Sequence, residues 1–113
     1  MLLKLKEVYR FWLTLHQDFP KVERRGIGEK IEKTFLDTME LAYSASYLPP
    51  EFKIPALGKV ISRLDIVKFF IQLAWEAHLI GDTKYAELIA SLEEIGRQLG
   101  GWKRGLQQKT PTK

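Results

Sequence analysis

From Ala56 to Ile80 the chain reads ALGKVISRLDIVKFFIQLAWEAHLI. Leu57, Val60, Ile61, Leu64, Val67, Ile71, Ala74, Trp75 and His78 recur at the three- and four-residue spacing of one helical face. Phe69, Phe70 and Leu73 carry apolar surface almost all the way round, and a helix of that kind is buried on more than one side. Two arrangements satisfy it. The helix is central to a bundle, or it also meets another subunit, with Phe69, Phe70 and Leu73 as the interface. Trp75 lies on the stripe between Ile71 and His78, so its predicted place is the core. Pro55 and Gly81 bound the segment, giving a helix over about 56–80.

Reading outward, Leu48-Pro49-Pro50-Glu51 closes a second helix expected over about 20–48, with Ile27, Ile31, Phe35, Thr38, Ala42 and Ala45 on its face. Leu36, Met39 and Tyr43 widen that stripe. Gly26 and Gly28 weaken its first turns, each by up to ~1 kcal/mol relative to alanine. Phe19-Pro20 separates it from a first helix over about 3–19, whose face carries Val8, Tyr9, Trp12, Leu15, His16 and Phe19. Downstream, Asp82 or Thr83 caps a fourth helix over about 83–105, with Tyr85, Leu88, Ile89, Leu92, Ile95, Leu99, Trp102 and Leu106. No segment alternates as a strand does. Short connectors favour antiparallel neighbours, so residues 1–106 read as one all-α, up-down-up-down four-helix bundle. Residues 107–113 read as a polar, disordered tail.

Composition narrows the function. The chain has 113 residues, 45% hydrophobic, and no cysteine, which excludes disulfides, thiolate zinc sites and a cysteine nucleophile. No run of about 18 apolar residues is present, and Met1-Leu2-Leu3-Lys4-Leu5-Lys6-Glu7 is too charged for a signal peptide. A soluble cytoplasmic protein without membrane contact is the expectation. His16 and His78 stand in no metal-ligand spacing and are expected as packing residues at stripe edges. The serines lie in no G-x-S-x-G turn. Gly26-Ile27-Gly28 follows no strand and is too short for a dinucleotide loop, which leaves an irregular helix start or an anion nest. No catalytic site, metal or cofactor is expected.

Net charge is +4, from 18 Lys+Arg against 14 Asp+Glu. In the expected topology it divides unevenly. The end holding the start of helix three and the finish of helix four sums to about +7, and the other to about −3, which together make the formal +4. Cations at a helix C-terminus complement its dipole, which accounts for Arg97, Lys103 and Arg104. Lys53, Lys59 and Arg63 sit at an N-terminus, where the dipole disfavours them. The sequence thus predicts a polyanion-binding end, with Lys59, Arg63, Arg97, Lys103 and Arg104 as candidate nucleic-acid contacts.

The wording of several segments resembles the accessory variability determinant (Avd) proteins of diversity-generating retroelements. Phe19-Pro20-Lys21, Glu23-Arg24 and Gly28-Glu29-Lys30-Ile31-Glu32 match the first helix junction, and Ala45-Ser46-Tyr47-Leu48-Pro49 continues the likeness. So do Leu64-Asp65-Ile66-Val67-Lys68-Phe69-Phe70 and Leu73-Ala74-Trp75-Glu76. The most specific block is Leu92-Glu93-Glu94-Ile95-Gly96-Arg97-Gln98-Leu99-Gly100-Gly101-Trp102. The likeness extends to the four-helix proteins encoded in 23S ribosomal RNA intervening sequences. It implies a four-helix bundle assembled as a pentameric barrel, without catalysis of its own. It also implies binding to RNA or DNA and association with a reverse transcriptase that makes error-prone cDNA. The alternatives are an intervening-sequence protein or a general protein-interaction bundle.

Overall fold

The computed structural model describes residues 1–109, and all its long elements are helices. The first, α1, spans Leu2–His16. A helical turn, Lys21–Glu23, and a π-helical segment, Arg24–Gly28, lead into α2, Glu29–Ala45. Then come α3, Pro50–Glu76, and α4, Asp82–Lys109. α2 packs on α3, α3 on α4, and α1 on both α2 and α4. Tyr9 meets Phe35, Lys30 meets Phe70 and Trp75 meets Tyr85, so successive helices run antiparallel. The bundle measures 52 × 23 × 22 Å. No helix among the described residues is long and apolar enough to cross a membrane.

The apolar stripes form the core as their spacing requires. Leu5, Val8 and Trp12 meet Ile31, Phe35, Ala42 and Ala45, and Leu57, Val60, Leu64, Val67, Ile71 and Ala74 meet Leu88, Leu92, Ile95 and Leu99. Thr34 and Thr38 are buried without penalty, because each hydroxyl donates to a carbonyl one turn back, of Lys30 at 2.8 Å and Thr34 at 2.7 Å.

The structure moves several expected boundaries. Helix one stops at His16, and Gln17 to Phe19 form a turn that tucks Phe19 into the core. The second helix ends at Ala45 rather than at 48, and its entry is kinked where Gly26 leaves helical geometry (φ −95°, ψ −105°). The third begins at Pro50 rather than 56, with Pro49 extended as its N-cap, and runs straight through Pro55. Pro55 has no N–H for the Glu51 carbonyl, but both residues are exposed, and a carbonyl left open to solvent there carries little penalty.

At its other end α3 stops at Glu76, not Ile80, and the residue that stops it is His78 rather than Gly81. His78 takes φ 64°, the Leu79 N–H bonds the Ala74 carbonyl and the His78 N–H bonds the Trp75 carbonyl, each at 2.9 Å. That is a Schellman closure with histidine where glycine is usual. His78 is therefore exposed, not packed. Trp75 is also displaced from the core: it is half-buried, stacked on Tyr85 at 4.4 Å, and its indole N–H donates to Asp82 Oδ1 at 2.8 Å. The fully buried tryptophan is Trp12. Gln107 to Lys109, expected in a disordered tail, continue α4. The rest of that expected tail, 110–113, lies outside the described residues.

Candidate nucleic-acid interface

The pairing of α3 with α4 sets the geometry of the basic end. Trp102 and Lys103 of α4 lie beside Lys53 and Gly58 of α3, whereas Lys4 near the start of α1 interacts with Glu94. The α2–α3 turn and the last turns of α4 thus extend beyond α1. Residues 46–60 and 99–109 make up this projection. They carry five cations, Lys53, Lys59, Lys103, Arg104 and Lys109, against one carboxylate, Glu51.

The five sequence-predicted contacts do not converge on one patch. Lys103 reaches across to α3 and rests its ammonium over Gly58, 3.3 Å from where a Cβ would stand. Lys59, the next residue, is exposed. Arg104 is exposed and lies along α4 above Gly100 and Gly101, whose missing side chains leave the room. Lys59, Lys103 and Arg104 form no ion pair among the described residues. Arg63 and Arg97 are in different surroundings. Arg63 lines a groove with Asp37, Glu40, Leu41 and Ser44 on the α2 side. Arg97 bonds Glu94 at 2.9 Å. That bond, with the charges of Lys4 and Arg97, holds the Glu94 carboxyl below the usual carboxylate range. Lys33 likewise pairs forward with Asp37 at 3.5 Å.

Sequence reasoning passed over the aromatic half of this surface. Lys53 places its ammonium 5.2 Å from the Trp102 ring centre and donates to the Ser46 carbonyl at 3.2 Å, pinning the start of α3 to both α4 and α2. Tyr47 is 72% exposed and Phe52 58%, on either side of Leu48-Pro49-Pro50. Tyr43 meets Tyr47 edge-on at 5.2 Å, and the Tyr47 hydroxyl donates to that of Tyr43 at 3.3 Å. The donated bond holds the Tyr47 phenol above the usual tyrosine range, so the ring stays neutral. The available signal was four large apolar residues within ten positions around a double proline, and the helical stripe absorbed only Tyr43.

The expected subunit-interface residues separate too. Phe69 is 63% exposed, and Leu73 and Ile66 share the outward surface of α3. Phe70 turns into the α2–α3 seam beneath the Lys30 ammonium, 5.9 Å from its ring centre. A second apolar surface lies between α1 and α2: a groove of about 410 Å³ lined by Leu2, Leu5, Lys6, Met39, Glu40 and Tyr43, with Leu3, Leu13 and Leu36 exposed on the same two helices.

The far end of the bundle is closed around His16. Its ring stacks on Trp12 at 5.1 Å and meets Phe19 edge-on. Nδ1 lies 3.0 Å from Glu32 Oε1 and Nε2 3.2 Å from the Arg24 carbonyl of the π-segment. Gly28 lies directly against this ring and is buried by it, so the Gly26-Ile27-Gly28 run serves helix packing. No cluster of three or more His, Cys, Asp or Glu able to hold a metal occurs among the described residues.

A family model described as bAvd-like matches residues 1–106. No curated protein and no solved structure matches the chain. The match covers all of α1, α2 and α3 and all but the last three residues of α4, and the chain belongs to the bAvd-like family.

Proposed function

We propose, from membership of the bAvd-like family, that this chain is a non-enzymatic accessory protein of a diversity-generating retroelement. It binds RNA or DNA at its basic end and associates with the element's reverse transcriptase to support mutagenic cDNA synthesis. The observation that carries the reading is the projecting end with five cations and one carboxylate. Such a surface grips phosphates with little sequence preference and releases them steeply as salt rises.

The same reading includes a ring. The apolar surface of α3 (Ile66, Phe69, Leu73) differs from the groove between α1 and α2. Two unlike surfaces that meet between copies join subunits head to tail, as a ring requires and a twofold dimer does not; five copies is what the likeness to the Avd proteins implies. The basic ends would then repeat around one rim.

The test is titration of labelled RNA and DNA over a salt series. A Lys59→Ala/Lys103→Ala/Arg104→Ala variant should flatten the salt slope by about one unit for each phosphate it no longer grips. Arg24→Ala/Arg25→Ala, at the far end, should leave it unchanged. Equal effects of the two variants would mean that net charge alone drives binding. Co-purification with the reverse transcriptase encoded beside the gene tests the partner. Light scattering should give a mass near five chains, and a 13.1 kDa monomer would remove the ring.

A further inference from the structure

We infer that the α2–α3 turn is a base-stacking platform, so that the nucleic acid taken at the basic end is single-stranded. The inference rests on the nucleic-acid reading above and adds the form of the ligand. Tyr47 and Phe52 leave most of their aromatic surface exposed at the tip of the bundle, where an isolated chain gains nothing by leaving it in water. The backbone that carries both is held in place. Pro49 and Pro50 stiffen the turn between them, Tyr43 buttresses Tyr47 edge-on, and Lys53 locks the first turn of α3 to Ser46 and Trp102. Rings carried on a backbone fixed before binding lose less freedom when a base settles on them.

Charge complementarity selects the occupant. Lys53 follows Phe52 directly, and Lys59, Lys103 and Arg104 lie on the same projection without carboxylate partners among the described residues. An acidic protein surface would answer these cations, but it would need an apolar pocket for each ring set between its carboxylates. A strand of unpaired nucleotides uses both, with bases on the rings and phosphates on the ammonium groups. A duplex offers only its phosphates, because its bases are already stacked on one another. Stacking discriminates by strandedness and not by sugar, so single-stranded RNA and single-stranded DNA share the chemistry.

The experiment compares wild type with Tyr47→Ser/Phe52→Ser and with the ring-conserving Tyr47→Phe/Phe52→Tyr. Binding is read by fluorescence anisotropy on oligouridine, oligothymidine and a mixed-sequence duplex of equal length. Both substituted positions are exposed, and circular dichroism confirms that each variant is folded. Wild type should prefer the single strands. The serine variant should bind them about tenfold or more weakly, the size of one to two stacked bases, with duplex affinity and salt slope unchanged. The ring-conserving variant should bind as wild type does. Whichever single strand binds more tightly identifies the nucleic acid, and either one supports the platform. Unchanged single-strand affinity in the serine variant, or an equal weakening on the duplex, overturns the platform while leaving phosphate binding standing. No binding by wild type at low salt removes the nucleic-acid reading and the platform with it.

Discussion

At the end where α1 turns into α2, Trp12, His16 and Phe19 pack on one another, and both ring nitrogens of His16 meet oxygen acceptors. At the opposite end Tyr47 and Phe52 stand in solvent among cations without carboxylate partners among the described residues. Both ends are aromatic-rich and both are built on a proline turn. One end uses its rings to hold helices together, and the other leaves them facing outward on a turn already fixed by Lys53 and the prolines. Surface that adds nothing to the stability of its own chain is where a partner is to be sought.

The tryptophans sample this contrast, and they give the largest expected effect. Trp12→Ala should cost about 3–5 kcal/mol in denaturant unfolding, because a wholly buried indole leaves a cavity. Part of that is recovered, since Trp12 Nε1 has no acceptor among the described residues. Trp75→Ala should cost only about 1–2 kcal/mol, the sum of one aromatic stack and one hydrogen bond at a half-buried site. Comparable costs at the two positions would break the distinction between core and clasp.

Two glycines sharpen it further, with opposite signs. Gly28→Ala drives a methyl group into the His16 ring and should destabilise by about 1–3 kcal/mol. In a His16→Ala background most of that cost should disappear, leaving the tight contact with the Glu23 carbonyl at 3.1 Å, and a cycle of the four proteins measures the coupling. At the basic end Gly105 has open space around it, so Gly105→Ala should stabilise by roughly 0.5–1 kcal/mol through helix propensity. Destabilisation at 105 would show that the end of α4 is held by a packing arrangement that alanine disturbs.

The smallest effect concerns Glu94 and Arg97. Glu94→Gln frees the guanidinium and should tighten RNA binding about twofold, the scale of one exposed ion pair. Its effect on stability has a definite sign. The folded Glu94 carboxyl sits below its unfolded value, so its contribution is present above the ordinary carboxylate range and is lost as pH falls through the lowered one. Wild type and Glu94→Gln should therefore differ slightly in unfolding midpoint at neutral pH and converge once the pH has fallen below the lowered carboxyl range. A gap that widened on acidification would contradict the pairing.

Most of the core was legible in the chain because burial follows helical period. Ile31, Phe35, Thr38, Ala42 and Ala45 repeat at three and four, and all five are buried. The stripe failed where helices end. Trp75 and His78 continue the period of α3, but His78 takes a left-handed turn that period does not encode, and Trp75 is drawn onto Tyr85 and Asp82 of the next helix. Pro55 read as a boundary because its missing N–H weakens a helix, yet so near the N-terminus the deficit falls on one solvated carbonyl.

The sequence by itself determined the helical class, the stripes and the surplus of cations on two segments, since these depend on residue type and local spacing. Arg97 finds Glu94 three positions back on its own helix, but for Arg63 and Lys59 tertiary structure decided which stands apart from carboxylates. Arg63 looked equal to Lys59 in the chain, and only the packing of α2 against α3 brought Asp37 and Glu40 beside it. Likewise Tyr47 and Lys103 lie 56 positions apart in the sequence, and it is the antiparallel packing of α3 on α4 that carries both to the same end of the molecule. Charge and aromaticity are properties of single residues, but a binding surface is a property of their distances, and those are set by packing.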